Sequence, residues 1–217
     1  MNQYALNHED HRSAEELASL VRKLNVSGHN PATSGNYSLK SKTYPDYGLV
    51  SESGIDKSQF QREHFLPVHY KTREQHPGVL HQKRKASDET AIHLAILDSS
   101  TAGCVLHTHF LESLVFADLF PGDPMLYLEG LELLKGLKGI HTHETKIALA
   151  CFENTQDIIG LSNEIPSVLK SEENIFGVML RGHGLYVWGE TVAEAKKHLE
   201  VLEYLIKYKV LSYRSRP

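Results

Sequence analysis

The sequence predicts an α/β fold built on a mixed, mostly antiparallel sheet. Apolar strands and amphipathic helices interleave along all 217 residues, without a low-complexity linker or an internal repeat. A tight turn at Gly182-His183-Gly184 joins two apolar runs, 177–180 and 185–189, as a hairpin that a purely parallel sheet lacks. A chain of this length buries a sizeable core without disulfides or a structural metal, and one domain over 1–217 is expected.

The elements follow in order. Ser13 is placed to cap a helix carrying Leu17, Leu20, Val21 and Leu24 on one face. Residues 27–34 form a loop marked by Gly28, Asn30, Pro31 and Ser34. Strands are expected over 36–40, 47–51 and 65–70, with Ser53-Gly54 in a turn between the last two. From Ser87 a helix places Ala91, Leu94 and Leu97 at helical spacing. The apolar run Ala102-Gly103-Cys104-Val105-Leu106 then enters His107-Thr108-His109 as a buried strand. A short helix over 113–119 stops at Pro121-Gly122, and a second is expected over 128–137, ending at Gly139. A strand over 145–150 and a helix over 156–169 containing Pro166 precede the hairpin. Thr191 and Glu194 form the capping box of the last helix, through Leu199, Leu202 and Leu205.

Composition narrows the function. Lys plus Arg is 23 and Asp plus Glu is 27, a net charge of −4 that argues against a general nucleic-acid binder. Two cysteines, Cys104 and Cys151, cannot make a disulfide framework and suggest a reducing compartment. Residues 1–16 lack an apolar run, and 114–120 falls far short of the ~20 residues of a membrane span, so a cytoplasmic protein is expected. Fourteen histidines direct attention to metal ligation and proton transfer.

His107 and His109 lie two apart at the end of a strand, where alternate side chains face the same way and two imidazoles reach one ion. Two edge histidines facing solvent fit the same spacing. His141-Thr142-His143 repeats the tripeptide, but without a buried strand leading into it. His183, flanked by glycines, is a candidate third ligand; three protein ligands with one open position characterise a catalytic zinc. Three polar turns, Thr33-Ser34-Gly35-Asn36, Ser51-Glu52-Ser53-Gly54 and Ala86-Ser87-Asp88, offer hydroxyls and N–H groups to an anion, with Lys135 as added charge. The candidate carboxylates are Glu89, Glu129 and Glu132, the last two spaced to share a helix face. Tyr186 and Trp188 read as core, and Cys104 as an inert buried thiol.

Taken as an ordered set, Ala32-Thr33-Ser34-Gly35-Asn36, Val50-Ser51-Glu52-Ser53-Gly54, Ser87-Asp88-Glu89-Thr90, Leu106-His107-Thr108-His109 and Arg181-Gly182-His183-Gly184-Leu185-Tyr186-Val187-Trp188-Gly189 resemble the class II aldolase/adducin family. Glu132-Leu133-Leu134-Lys135-Gly136 and Glu153-Asn154-Thr155-Gln156-Asp157 resemble its dehydratase subgroup in methionine salvage. The resemblance implies a three-layer α/β/α sandwich assembled as a homotetramer with active sites at subunit boundaries. It implies one zinc per subunit on His107, His109 and His183, rather than on His141 and His143. It places the dehydratase acid/base at Glu132, the aldolase glutamate at Glu89, and phosphate contacts at Asn36, Ser53, Gly54 and Ser87. The implied substrate is a 1-phosphorylated 2-ketose that loses its C3 proton and then its C4 hydroxyl as water. A class II sugar-phosphate aldolase or 4-epimerase, or a non-catalytic adducin-like interaction module, are the alternatives. Two positions depart from the family pattern: Ala86 stands where proline is common, and Asp88 where a small residue is usual.

Overall fold

The computed structural model describes residues 5–80 and 83–215. Its elements are α1 (His8–Val26), β1 (Asn36–Lys40), β2 (Tyr47–Ser51), β3 (Phe65–His69), the single turn α2 (Pro77–Leu80), α3 (Thr90–Ser99), β4 (Cys104–Thr108), α4 (Leu111–Asp118), β5 (Met125–Leu128), β6 (Ile147–Phe152), α5 (Ile158–Val168), β7 (Ile175–Leu180), β8 (Gly184–Gly189) and α6 (Val192–Arg214). The eight strands form one sheet in the order β3-β2-β1-β4-β8-β7-β6-β5. Every pair is antiparallel except β6 with β7, as the hairpin and the interleaved pattern predict.

Strand alternation divides the sheet between two helical layers. Tyr37, Leu39, Leu106 and Val187 face α1, α4 and α6, packing with Leu17, Phe116 and Leu202. Val105, Val178 and Tyr186 face the other way, against Ile92 and Ile96 of α3 and Leu161 and Ile165 of α5. The result is an α/β/α sandwich. Among the described residues no helix is long and apolar enough to cross a membrane.

Register carries the site. Asn36 of β1 is paired with His107 of β4, and His107 with Tyr186 of β8. Cross-strand partners project to the same face, so these three side chains stand in one row on the α3/α5 side.

Several boundaries differ from the sequence expectations. The first helix begins at His8, because Asn7 accepts the Asp10 N–H and caps it; Ser13 lies inside. The expected helix over 128–137 does not form. Met125-Leu126-Tyr127-Leu128 alternates in burial and is an edge strand, Gly130 turns the chain at φ +76°, and Glu132–Gly136 is a 3₁₀ turn. Glu129 and Glu132 therefore share no helix face. The capping box of α6 is half made. Thr191 accepts the Glu194 N–H, whereas the Glu194 carboxylate accepts from Glu190.

One hydrogen bond ties α6 to the loop behind the site. The buried His29 places Nε2 3.0 Å from Glu203 Oε2, Lys207 holds the other carboxylate oxygen at 2.5 Å, and the His29 carbonyl accepts the His109 N–H. The hydrogen bond from His29 holds the Glu203 carboxyl down at about 2 against the opposing effect of burial, with Lys207 adding to the depression. A depressed carboxylate stabilises the fold above its ordinary value of 4.5, and that contribution is lost as pH falls through about 2. Thermal melts between pH 2 and 7 are expected to show that Glu203→Gln removes at most about 3 kcal/mol near neutral pH and flattens the acid limb. An unchanged acid limb contradicts this role.

Candidate metal centre

His107 is completely buried near the end of β4. Its Nδ1–H donates to the Leu185 carbonyl at 3.3 Å, which leaves the Nε2 lone pair free. His109 follows one residue past the strand, and its Nε2 stands 2.8 Å from that of His107. His183 sits in the β7–β8 turn, where Gly182 takes a left-handed conformation at φ +61°. Its Nδ1–H donates to Asn154 Oδ1 at 3.2 Å, which aims Nε2 into the cluster. Arg181 braces that turn by donating to the carbonyls of Ala117, Phe120 and Asp123 and pairing with Glu153 at 3.0 Å. Gly184 is required by space: a Cβ there would lie 2.4 Å from the Thr108 carbonyl and 2.9 Å from the His107 ring.

Glu89 occupies the N-cap position of α3 without capping it, and turns its carboxylate into the cluster. Oε2 lies 3.2 Å from His107 Nε2, and Oε1 lies 3.3 Å from His183 Nε2. The Tyr186 hydroxyl donates to Oε2, and its ring stacks on His107 at 3.9 Å and 17°. Burial pushes the Glu89 carboxyl up, but the hydrogen bonds from His183 and Tyr186 outweigh it, holding the group well below the usual carboxylate range. Burial drives the imidazoles the other way: His109 falls to about 4 and His107 well below its ordinary value. Two neutral imidazoles, the His183 ring and one carboxylate come together, with ligand atoms all within 4.8 Å of one another. This donor set fits one first-row divalent ion, and the outer hydrogen bonds on His107 and His183 orient those rings for it.

Beside the cluster lies a cavity of about 300 Å³, where the three predicted turns meet. Asn36, Ser53, Gly54 and Ser87 line it together with His109 and Glu89. The Asn36 amide is fixed from behind: His93 Nε2–H donates to its Oδ1 at 2.5 Å, while the Ser38 hydroxyl donates to His93 Nδ1 at 2.8 Å. Burial lowers His93 to about 4, so it stays neutral and leaves the Asn36 NH₂ as the donor. Asp88 at the rim is neutralised by Lys85. A second cavity of about 600 Å³ also borders His109 and His183 and is lined by Pro31, Leu111 and Leu114.

The remaining predicted residues lie apart from the cluster. Glu132 is exposed and paired with Lys135 and, at 3.6 Å, with His143. Lys135 therefore faces Glu132 and does not line the cavity; the lysine that does is Lys57. His141 and His143 are exposed and outside the cluster. Tyr186, His93 and Lys57 escaped the sequence reading. Tyr186 had a signal, since the glycine hairpin places it opposite the strand that carries His107.

Residues 15–210 match the class II aldolase and adducin N-terminal domain. The chain belongs to the class II aldolase and adducin family. It is 37% identical over 210 residues to a protein named methylthioribulose-1-phosphate dehydratase from Picosynechococcus sp., covering 96% of both chains. A protein of the same name from Marinobacter nauticus is 34% identical over 205 residues, covering 94% of this chain and 95% of its own. Among solved structures, L-fuculose-1-phosphate aldolase from Thermus thermophilus superposes with a TM-score of 0.68 at 19% identity, covering 95% of each chain. Another L-fuculose 1-phosphate aldolase gives 0.74 at 18%, covering all of this chain and 92% of that one. This class II aldolase fold is thus shared at low sequence identity. Gly184→Ala in this family member is expected to weaken divalent-metal affinity roughly 10–100-fold, read by competition with a chromophoric chelator; unchanged affinity contradicts the contact argument.

Proposed function

We propose that this chain is a methylthioribulose-1-phosphate dehydratase, a carbon–oxygen lyase. It converts 5-methylthioribulose 1-phosphate to 2,3-diketo-5-methylthiopentyl 1-phosphate and water in methionine salvage, within the cytoplasm. One observation carries the reading: three imidazoles and a carboxylate gather beside a cavity made of three anion-binding turns. Relatives of that name at 33–37% identity support it.

His107, His109 and His183 hold one Zn²⁺ per subunit, with Glu89 as the neighbouring carboxylate. When bound, the ion supplies Lewis acidity that stabilises negative charge developing next to the C2 carbonyl. Asn36, Ser53, Gly54 and Ser87 bind the phosphate, and Lys135 adds charge near Glu132. The methylthio end enters the second cavity, against Leu111 and Leu114. A carboxylate removes the C3 proton, the C4 hydroxyl leaves as water with acid assistance, and the enol tautomerises to the diketone. We assign that proton transfer to Glu132. Glu132 is exposed and lies outside its own subunit's cluster, so this assignment has it act in the site of a neighbouring subunit of a homotetramer. Glu89, already in the cluster, is the second reading, and would favour an aldolase-like or epimerase-like use of the site.

Metal-loaded protein incubated with 5-methylthioribulose 1-phosphate is expected to yield the diketone, identified by mass spectrometry. Cleavage or epimerisation of fuculose or ribulose phosphates instead overturns the assignment. Alanine at His107, His109 or His183 is expected to remove metal and activity together, whereas His141→Ala and His143→Ala retain both. Glu132→Gln is expected to lower kcat ~10²–10⁴-fold with metal intact. Mixed with His107→Ala subunits it should regain activity, because each variant supplies what the other lacks. Failure of this complementation, with Glu89→Gln alone abolishing turnover, moves the role to Glu89.

A further inference from the structure

We propose that Lys57 is the cationic member of the anion site, its ammonium neutralising a bound phosphoryl group; this rests on the phosphate reading of the cavity above. Lys57 is 3% exposed, yet it lines the cavity with Asn36, Ser53 and Ser87. Its Nζ donates to the Thr33 carbonyl at 2.9 Å and to the Ile55 carbonyl at 3.2 Å. An ammonium has three donors, so one is left over. Among the described residues no carboxylate lies within 4.0 Å of this nitrogen. The adjacent Asp56 accepts the Ser58 N–H instead. Of the other charges lining the cavity, Glu52 is matched with Arg84 and Asp88 with Lys85, and Glu89 is held in the histidine cluster.

A buried ammonium without a counter-ion destabilises a fold, and burial depresses its pKa accordingly. The surrounding chain is shaped to hold it there. Ala32 and Thr33 both take left-handed conformations, at φ +51° and +67°, which sparsely suit residues other than glycine. The Ser34 hydroxyl in the same turn is buried without a partner. One dianion placed among these turns supplies an acceptor for the spare ammonium donor and for that hydroxyl, and cancels the unmatched charge. The ammonium also links the carbonyls of two turns, so it sets their spacing before the anion arrives.

The test titrates the metal-loaded wild type and Lys57→Met with inorganic phosphate at fixed ionic strength, by calorimetry and by thermal melting. Wild type is expected to bind phosphate and gain melting temperature. Lys57→Met is expected to bind it roughly 10–100-fold more weakly, and to melt no lower than wild type when phosphate is absent, because a buried unpaired charge is gone. With the phosphorylated substrate, KM should rise by a similar factor while kcat stays within a few-fold. Equal phosphate affinity in the two proteins, no phosphate binding by wild type, or a large loss of phosphate-free melting temperature would overturn the role. Phosphate binding lost in Lys57→Met, in a protein that forms no diketone, upholds Lys57 and removes only the dehydratase assignment.

Discussion

The site depends on the register of three neighbouring strands. β1, β4 and β8 are paired so that Asn36, His107 and Tyr186 fall in one row. A one-residue slip of β4 would turn His107 toward α1 and α6, where Leu106 packs, and would dismantle cluster and cavity together. The register is held by the apolar residues of both faces, because a slip would drive the polar His107 into the layer packed on α1 and α6 and put Leu106 into the row of the site. The α3 helix, seated through Ile92 and Ile96, delivers Glu89 to the same row from its N-terminus. Core packing and the metal centre are therefore one constraint.

Charge follows from that placement. Burial keeps His107 and His109 neutral, and hydrogen bonds from Tyr186 and His183 keep Glu89 ionised. The cluster thus carries one negative charge among lone pairs, the arrangement a divalent cation satisfies. A few ångströms into the neighbouring cavity the demand reverses, with hydroxyls, an amide NH₂ and a buried ammonium. A substrate with a phosphate at one end and chelating oxygens beside it matches this polarity, which neither a nucleic acid nor an apolar ligand would.

Much of the fold was legible because its strands are short, apolar and bounded by glycine and polar turns. β1 and β2 were read to the residue, and the hairpin at Gly182 was read correctly as a sign of antiparallel pairing. The 128–137 segment was misread because its leucines fit either period; only the alternating burial of Met125–Leu128 against β6 separates strand from helix. In the site, the i, i+2 histidines and the polar turns were visible as local patterns. Tyr186, His93 and Lys57 were not, since each acts through a partner distant in sequence: Glu89, Asn36 and Thr33. Lys135 was favoured for its position beside Glu132, but both belong to a 3₁₀ turn packed against α6, and neither lines the cavity.

X-ray absorption at the zinc edge of the metal-loaded protein tests the ligand set most directly. Three imidazole nitrogens at ~2.0–2.1 Å with oxygen completing the shell is the expected spectrum, unchanged in a His141→Ala, His143→Ala double variant. A sulfur ligand, or imidazole scattering lost with His141 and His143, would contradict the assignment of His107, His109 and His183.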